Sequence, residues 1–162
     1  MKAAAAFRTG IALALTSLAV RLGAVPAGAA ASTCVPTTLA STAYPVLLVK
    51  ARVNGQGPFT FFIDTGATVS IVSASLAKRL HLKALPVAVS GIGAGGAFST
   101  RASVASIGVG DVRQERVLVA TFDLTQINSA VGPTDGGLGY NFLKAYRVTV
   151  DYPGRELCLE AP

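Results

Sequence analysis

The chain reads as a small all-β domain, a closed barrel or sandwich with one or two short helices, and three features point there. Turn-forming clusters at Asn54-Gly55-Gln56-Gly57, Gly108-Val109-Gly110-Asp111 and Tyr152-Pro153-Gly154 each separate two runs rich in β-branched or aromatic residues, the pattern of hairpins. The runs are short, and several alternate apolar with polar residues, the period of a half-buried strand. Helical spacing is confined to two brief segments, and seven or so short strands of this kind make a small barrel or sandwich.

In chain order, residues 1–31 stand apart. Lys2 and Arg8 precede an apolar stretch over residues 11–20, and Ala29 and Ala31 give the small-x-small pattern of a cleavage point. This is the layout of a secretory signal peptide, which implies an exported, periplasmic or secreted protein. Arg21, directly after the apolar stretch, departs from the usual form. The stretch is about ten residues long, against the roughly 20 of a membrane span, so membrane contact is expected only if this segment stays uncleaved. The segment carries three bases, Lys2, Arg8 and Arg21, and no acid, so its removal lowers the formal charge from +6 to +3. The remaining bases are scattered singly or in pairs and are not interleaved with aromatics, which argues against a nucleic-acid partner.

Residues 32–44, rich in Ser and Thr, read as a linker ahead of a domain over 45–162. Residues 46–53 and 58–63 form the first hairpin pair. Residues 68–73 form a further strand. Residues 73–82 come next as a helix, with Ser73 as cap and Leu76 and Leu80 on its inner face. Residues 85–90 lead into the glycine-rich 91–98, then two alternating runs flank Gly108-Val109-Gly110-Asp111. Residues 123–136 read as loop, 137–146 as a tight turn with a short helix, and 147–160 as the closing hairpin. Two cysteines, Cys34 and Cys158, sit at opposite ends of the mature chain; in an exported protein they form either a disulfide or two free thiols.

Three chemistries are excluded. Gly91-Ile92-Gly93-Ala94-Gly95-Gly96 fits the glycine spacing of a dinucleotide loop, but residues 97–109 alternate like a strand, and that fingerprint needs a helix in a βαβ unit. His81 is the only histidine, it ends a short helix, and no Gly-x-Ser-x-Gly elbow accompanies it, so no serine triad is assembled. The acids are dispersed singly, so no metal site is expected, nor any cofactor.

There remains Asp64-Thr65-Gly66-Ala67, a carboxylate set between Phe59, Phe61, Phe62 and Ile63 on one side and Val69, Ile71 and Val72 on the other. Burying a lone carboxylate costs several kcal/mol unless it is paired or protonated. An Asp-Thr-Gly turn is one explanation; a working carboxyl group is the other. Here the chain resembles the retropepsin-like aspartic proteases, in their single-domain bacterial form. Residues 49–73 are similar to that family's first hairpin, catalytic loop and succeeding strand. Residues 91–99 stand where its glycine-rich flap lies, and 135–159 are similar to its closing segment, with Gly-Leu-Gly-x-x-Phe-Leu at 137–143.

The resemblance implies a retropepsin-like acid-protease half, with Asp64 as catalytic acid/base and Thr65, Gly66 and Ala67 shaping its loop. Thr65 is implied to hydrogen-bond between two such loops. Gly91, Ile92, Gly93, Ala94, Gly95 and Gly96 are implied to form a substrate-covering flap, and a peptide or protein is the implied substrate. A single Asp-Thr-Gly implies a homodimer that brings two Asp64 residues together. Chain ends that run close in this fold imply a Cys34–Cys158 bridge. A bridge within one chain is expected to move the dimer contacts toward the loops around Thr65 and the flap. One departure is Gly137, where the family carries a bulky aliphatic residue. Loose packing against the catalytic loop is expected there, and with it an alternative: a catalytically weak or inactive module that binds peptide or dimerises.

Overall fold

A computed structural model describes residues 32–41, 45–93 and 96–162. The strands, in chain order, are β1 (Ser32–Pro36), β2 (Thr38–Leu39), β3 (Leu47–Val53), β4 (Gln56–Ile63), β5 (Ser70–Ser73), β6 (Ala84–Gly93), β7 (Gly96–Val109), β8 (Val112–Phe122), β9 (Gly136–Leu138), β10 (Arg147–Asp151) and β11 (Glu156–Glu160). The helices are α1 (Ala74–Arg79), α2 (Thr125–Val131) and α3 (Tyr140–Leu143). The all-β expectation holds, and so do the three hairpins.

The first hairpin shows why. Asn54 and Gly55 adopt φ values of 51° and 75°, and the two left-handed positions give the turn a twist that matches that of the flanking strands. Asn54 Oδ1 also accepts from the Ser106 N–H at 2.9 Å, tying the turn to β7. The larger sheet runs β2-β3-β4-β9-β5-β8-β7-β6, with an additional β3–β7 pairing through Ala51↔Val109, Arg52↔Gly108 and Val53↔Ile107. That pairing closes β3, β4, β9, β5, β8 and β7 into a six-stranded barrel. Closure removes the open edges these strands would otherwise present. Phe61, Phe142, Leu76, Ile107, Leu138 and Leu157 are fully buried and belong to one core cluster. Helix α1 forms where its cap predicts: Ser73 Oγ accepts from the Leu76 N–H at 3.1 Å, and Leu76 and Ala77 face the core.

Two expectations fail. Residues 32–39 are not a tether: β1 pairs antiparallel with β11 from Ser32↔Glu160 to Pro36↔Glu156, and β2 pairs with β3. Main-chain pairing does not need apolar side chains, and Val35 supplies one contact to the core, so composition alone misleads here. Residues 123–136 are not all loop: α2 occupies Thr125–Val131. Asp123 Oδ1 accepts from the Thr125 N–H at 3.0 Å and from its hydroxyl at 2.6 Å. Those bonds hold the exposed Asp123 carboxyl below its ordinary range. The helix buries only Val131, so it lacks the apolar stripe by which helices are recognised.

Cys34 and Cys158 stand directly opposite in the β1–β11 register and are joined by a disulfide across 124 positions of sequence. Closing so long a loop restricts the unfolded chain and stabilises the fold by about 4–5 kcal/mol in the chain-entropy account, with measured effects often smaller. The double variant Cys34→Ser/Cys158→Ser is therefore expected to lose about 2–5 kcal/mol in urea denaturation. An unchanged midpoint and slope would show that β1 is held by its hydrogen bonds alone.

Candidate active site

Strand β4 ends at Ile63, and Asp64 is the first residue beyond the barrel wall. Its backbone N–H donates to Leu138 O at 3.0 Å, so the loop leaves the wall at a point fixed by β9. Its Oδ1 accepts from the Gly66 N–H at 3.0 Å and the Ala67 N–H at 3.1 Å. The chain thus folds around one carboxylate oxygen, and Oδ2 meets no donor among the described residues. A Cβ on Gly66 would lie 3.3 Å from Asp64 Oδ1, a tight approach that glycine avoids. Asp64 and Ala67 are half-buried, while Thr65 and Gly66 are exposed. The apolar neighbours lie behind the carboxylate and do not enclose it: Phe61 packs in the core, the Phe62 ring lies against Gly137, and the chain leaves the strand at Asp64. Within one chain the Asp64 carboxylate is therefore only half-buried.

Residues without any evident role in the sequence hold the loop in place. Asn141 Oδ1 accepts from both the N–H and the hydroxyl of Ser70, each at 2.8 Å, and Asn141 Nδ2 donates to Leu118 O at 2.7 Å. Ser70 Oγ in turn accepts from the Gly139 N–H at 3.0 Å. Tyr140 N–H donates to Ala67 O at 2.7 Å and Asn141 N–H to Thr68 O at 3.2 Å. The start of α3 is therefore stitched to the far side of the Asp64 loop. A Cβ on Gly139 would come within 2.7–2.9 Å of Val69 and Ala67 backbone atoms, so only glycine permits that approach. Ser70 is fully buried, and a fully satisfied buried polar group of this sort fixes one geometry. The available signal was a polar residue, Ser70 or Asn141, set within an apolar run.

The carboxylates of Asp135 and Asp151 are engaged elsewhere. Asp135 Oδ2 accepts from the Thr60 N–H at 3.0 Å, its backbone bonds to Thr60 O and Ser73 N–H, and its Oδ1 lies 3.6 Å from Arg79 Nη2. It clamps the barrel wall. Asp151 Oδ1 caps the closing turn by accepting from the Gly154 N–H at 2.9 Å. Asp111 stands in the β7–β8 turn, its N–H donating to Thr33 Oγ1 at 3.3 Å. Of the expected flap, Gly91, Ile92 and Gly93 end β6 and Gly96 begins β7, in antiparallel register; Ala94 and Gly95 lie outside the described residues. The hairpin also disposes of the dinucleotide motif, since the glycines lead into a strand. One group of possible metal ligands, Cys34, Glu156 and Cys158, has both sulfurs committed to the disulfide. A cavity of about 340 Å³ lined by residues including Val35, Lys50, Arg52 and Asp111 lies beside β1 and contains no residue of the Asp64 loop.

Gly137 does not leave the wall loose. β9 runs parallel to β4 with Phe62↔Gly137 in register, and a Cβ at 137 would fall 2.5 Å from Phe62 Cε2 and 2.6 Å from its Cζ. The Phe62 ring occupies the volume that a side chain at 137 would need. At Gly136 the Phe61 ring does the same, at 2.6 Å. Large aromatics on β4 and glycines on β9 are therefore one packing solution. Gly137→Val is expected to destabilise the chain by about 1–3 kcal/mol through overpacking. The penalty should shrink in a Phe62→Ala background, as a double-mutant cycle in urea denaturation would report. Additive costs would mean that the two positions do not share that space.

Comparisons with known proteins agree with this geometry. Residues 49–142 match the family model described as aspartyl protease, which spans the first barrel strands, the Asp64 loop and the start of α3. Among solved structures, a retropepsin-like aspartic protease from Rickettsia conorii superposes with a TM-score of 0.57 at 16% sequence identity, covering 81% of this chain and 91% of that one. No curated protein matches the sequence. With more than half its length matched and its barrel superposed, the chain has a retropepsin-like fold and belongs to the aspartyl protease family.

Proposed function

We propose that this protein is an aspartic endopeptidase that acts as a homodimer, with one Asp64 from each copy. The observation that carries the reading is the Asp64 carboxylate itself: one oxygen is held by two backbone N–H groups, on a loop braced by Ser70, Gly139 and Asn141, with its other side open. A peptide bond is cleaved without metal or covalent nucleophile when two adjacent carboxyl groups share one proton. The ionised group takes a proton from water as the water oxygen attacks the carbonyl carbon, and the neutral group donates its proton to the carbonyl oxygen. Proton return to the amide nitrogen then breaks the C–N bond. Each chain supplies one such group, since Asp135, Asp151 and Asp123 are engaged elsewhere and Asp111 stands in the β7–β8 turn, by a cavity with no residue of the Asp64 loop, and a two-fold axis is the economical source of the second. Thr65, exposed at the loop tip, would by this reading bond across that axis. The glycine-rich end of β6 and β7 would close over extended peptide and exclude water.

The rival reading, a catalytically weak or inactive peptide-binding or dimerisation module, has its best sequence support in a loosened wall at Gly137. Phe62 fills that space, so that support is lost, and a measurement of hydrolysis decides between the two readings. Asp64→Asn, nearly isosteric, is expected to abolish cleavage of a peptide library while leaving thermal stability and association nearly unchanged. Pepstatin-type inhibition should parallel the loss. Specific activity should also fall on dilution, and excess Asp64→Asn chain should poison the wild type through mixed dimers. Full activity in the Asn variant sinks the mechanism; activity indifferent to dilution and poisoning sinks the dimer.

Export belongs to the same proposal. A secretory segment over residues 1–31 would deliver the chain to an oxidising compartment, where the Cys34–Cys158 bond forms and persists. Intact-mass measurement of protein from an exporting host is expected to give a mature chain beginning at Ser32. A retained N-terminal segment would instead mean an anchored protein.

A further inference from the structure

The cavity of about 340 Å³ beside β1 takes no part in the Asp64 site, and it is lined by charges of both signs. Its floor is the outer face of the barrel. Val49, Ala51 and Val53 are buried on β3, so the alternation of a strand turns Lys50 and Arg52 outward. Arg52 stands opposite Gly108 of β7, and a Cβ built on Gly108 would lie 4.0 Å from the Arg52 Cβ. With no side chain there, the surface has a gap beside the arginine. Val35 and Pro36 of β1 and Pro58 of β4 supply apolar walls. The β1 wall is held in place: Gly110 packs so closely that a Cβ there would collide with Thr33 and Val35, and the disulfide fastens β1 to β11.

The charges are drawn apart across this floor. Lys50 Nζ donates to Thr60 Oγ1 at 2.8 Å and Arg52 Nη1 to the Gly55 carbonyl at 3.4 Å, so both cations lean toward β4 and its turn. Asp111 stands on the other side of β3, in the β7–β8 turn, and is engaged there through its backbone N–H to Thr33 Oγ1. Among the described residues the ion pairs belong to Arg79, Arg113 and Arg147. Lys50, Arg52 and Asp111 therefore line one cavity without pairing to one another. An ammonium offers three donors and a guanidinium five, and most of these stay unused.

We propose that this groove binds a short peptide with both ends free, its α-carboxylate at Lys50 and Arg52 and its α-ammonium at Asp111. The peptide backbone lies over Gly108, and an apolar side chain rests against Val35, Pro36 and Pro58. A simple anion would answer the two cations and be repelled by Asp111; the zwitterion answers all three charges. A free amino acid is too short, because β4 and β7 flank β3 and neighbouring strands lie roughly 5 Å apart. The volume is at the small end of ligand sites, which suits a di- or tripeptide. Lys50, Arg52 and Asp111 are all exposed, and each such contact contributes modestly, so binding belongs in the millimolar range. The site goes beyond the protease reading and does not rest on it, since its test reads binding and not hydrolysis.

Titration of the purified protein with the dipeptide Ala-Leu, followed by amide NMR, tests it. The Gly108, Gly110 and Asp111 signals should shift while those of Gly66 and Ala67 stay in place. N-acetyl-Ala-Leu and Ala-Leu amide should each bind about fivefold or more weakly. Each loss should trace to one charge. With Asp111→Asn the acetylated and free peptides should bind alike, and with Lys50→Ala/Arg52→Ala the amide and free peptides should. Gly108→Val should fold, since the nearest atom to a Cβ there is 3.5 Å away, and should lose binding by filling the floor. The same spectra report whether each variant is folded. Acetate or free leucine binding as tightly as Ala-Leu, or an affinity that ignores both caps, overturns the zwitterion site. Shifts confined to Gly66 and Ala67, or none well above millimolar peptide, overturn the groove itself. Neither outcome touches the protease reading, which Asp64→Asn decides.

Discussion

Three residues, Gly136–Leu138, hold the two strands between which Asp64 is suspended. β9 pairs parallel with β4 and antiparallel with β5, and Leu138 O accepts the Asp64 N–H directly. Without that insertion β4 and β5 have no common neighbour, the barrel does not close, and the loop has no fixed point of departure. A parallel pairing between segments more than seventy residues apart has a high loop-closure cost, and here it is offset by the rings of Phe61 and Phe62 lying over glycines. The Asp64 loop is therefore a product of the barrel's closure, and its geometry is as firm as that junction.

Legibility of the sequence tracks the range of the interactions. Hairpins at 54–57, 108–111 and 152–154 are readable because turn chemistry and strand alternation are local. The Ser73 cap is readable for the same reason. Asp64-Thr65-Gly66-Ala67 stands out because a carboxylate amid apolar strands demands an explanation. The elements that escape depend on partners distant in the chain or lack an apolar period. β1 exists because β11 lies beside it; α2, set between Asp123 and Gly132, is local but buries only Val131 and so carries no apolar period. Asn141 looks like an ordinary helix-start residue, yet it satisfies Ser70 from 71 positions away. The glycine-rich segment is legible as part of a hairpin, but its backbone says nothing of the surface it covers.

Gly137 carries a further lesson about departures from a family pattern. Taken alone, the loss of a bulky aliphatic residue predicts a void beside the Asp64 loop. The volume is instead supplied from the neighbouring strand, where Phe62 lies in register with it. Core packing constrains the sum of volumes at a contact more tightly than the residue at either side. A substitution in one strand cannot be judged before its cross-strand partner is known, and the partner here is separated by most of the barrel's sequence.

The half-open state of Asp64 is the last link. Within one chain the backbone N–H groups of Gly66 and Ala67 engage one carboxylate oxygen, the apolar wall lies behind it, and Thr65 and Gly66 face outward. A site organised on three sides and open on the fourth is what the proposed dimer would require of each contributor. The enclosure that raises the effect of every charge in a dry cleft would, on that proposal, come from the second copy. α3 begins against the Asp64 loop through Tyr140 and Asn141 and, by way of residues 144–146, runs on into β10 of the three-stranded β1-β11-β10 sheet, so that sheet and the carboxylate's loop share one short, well-braced connector.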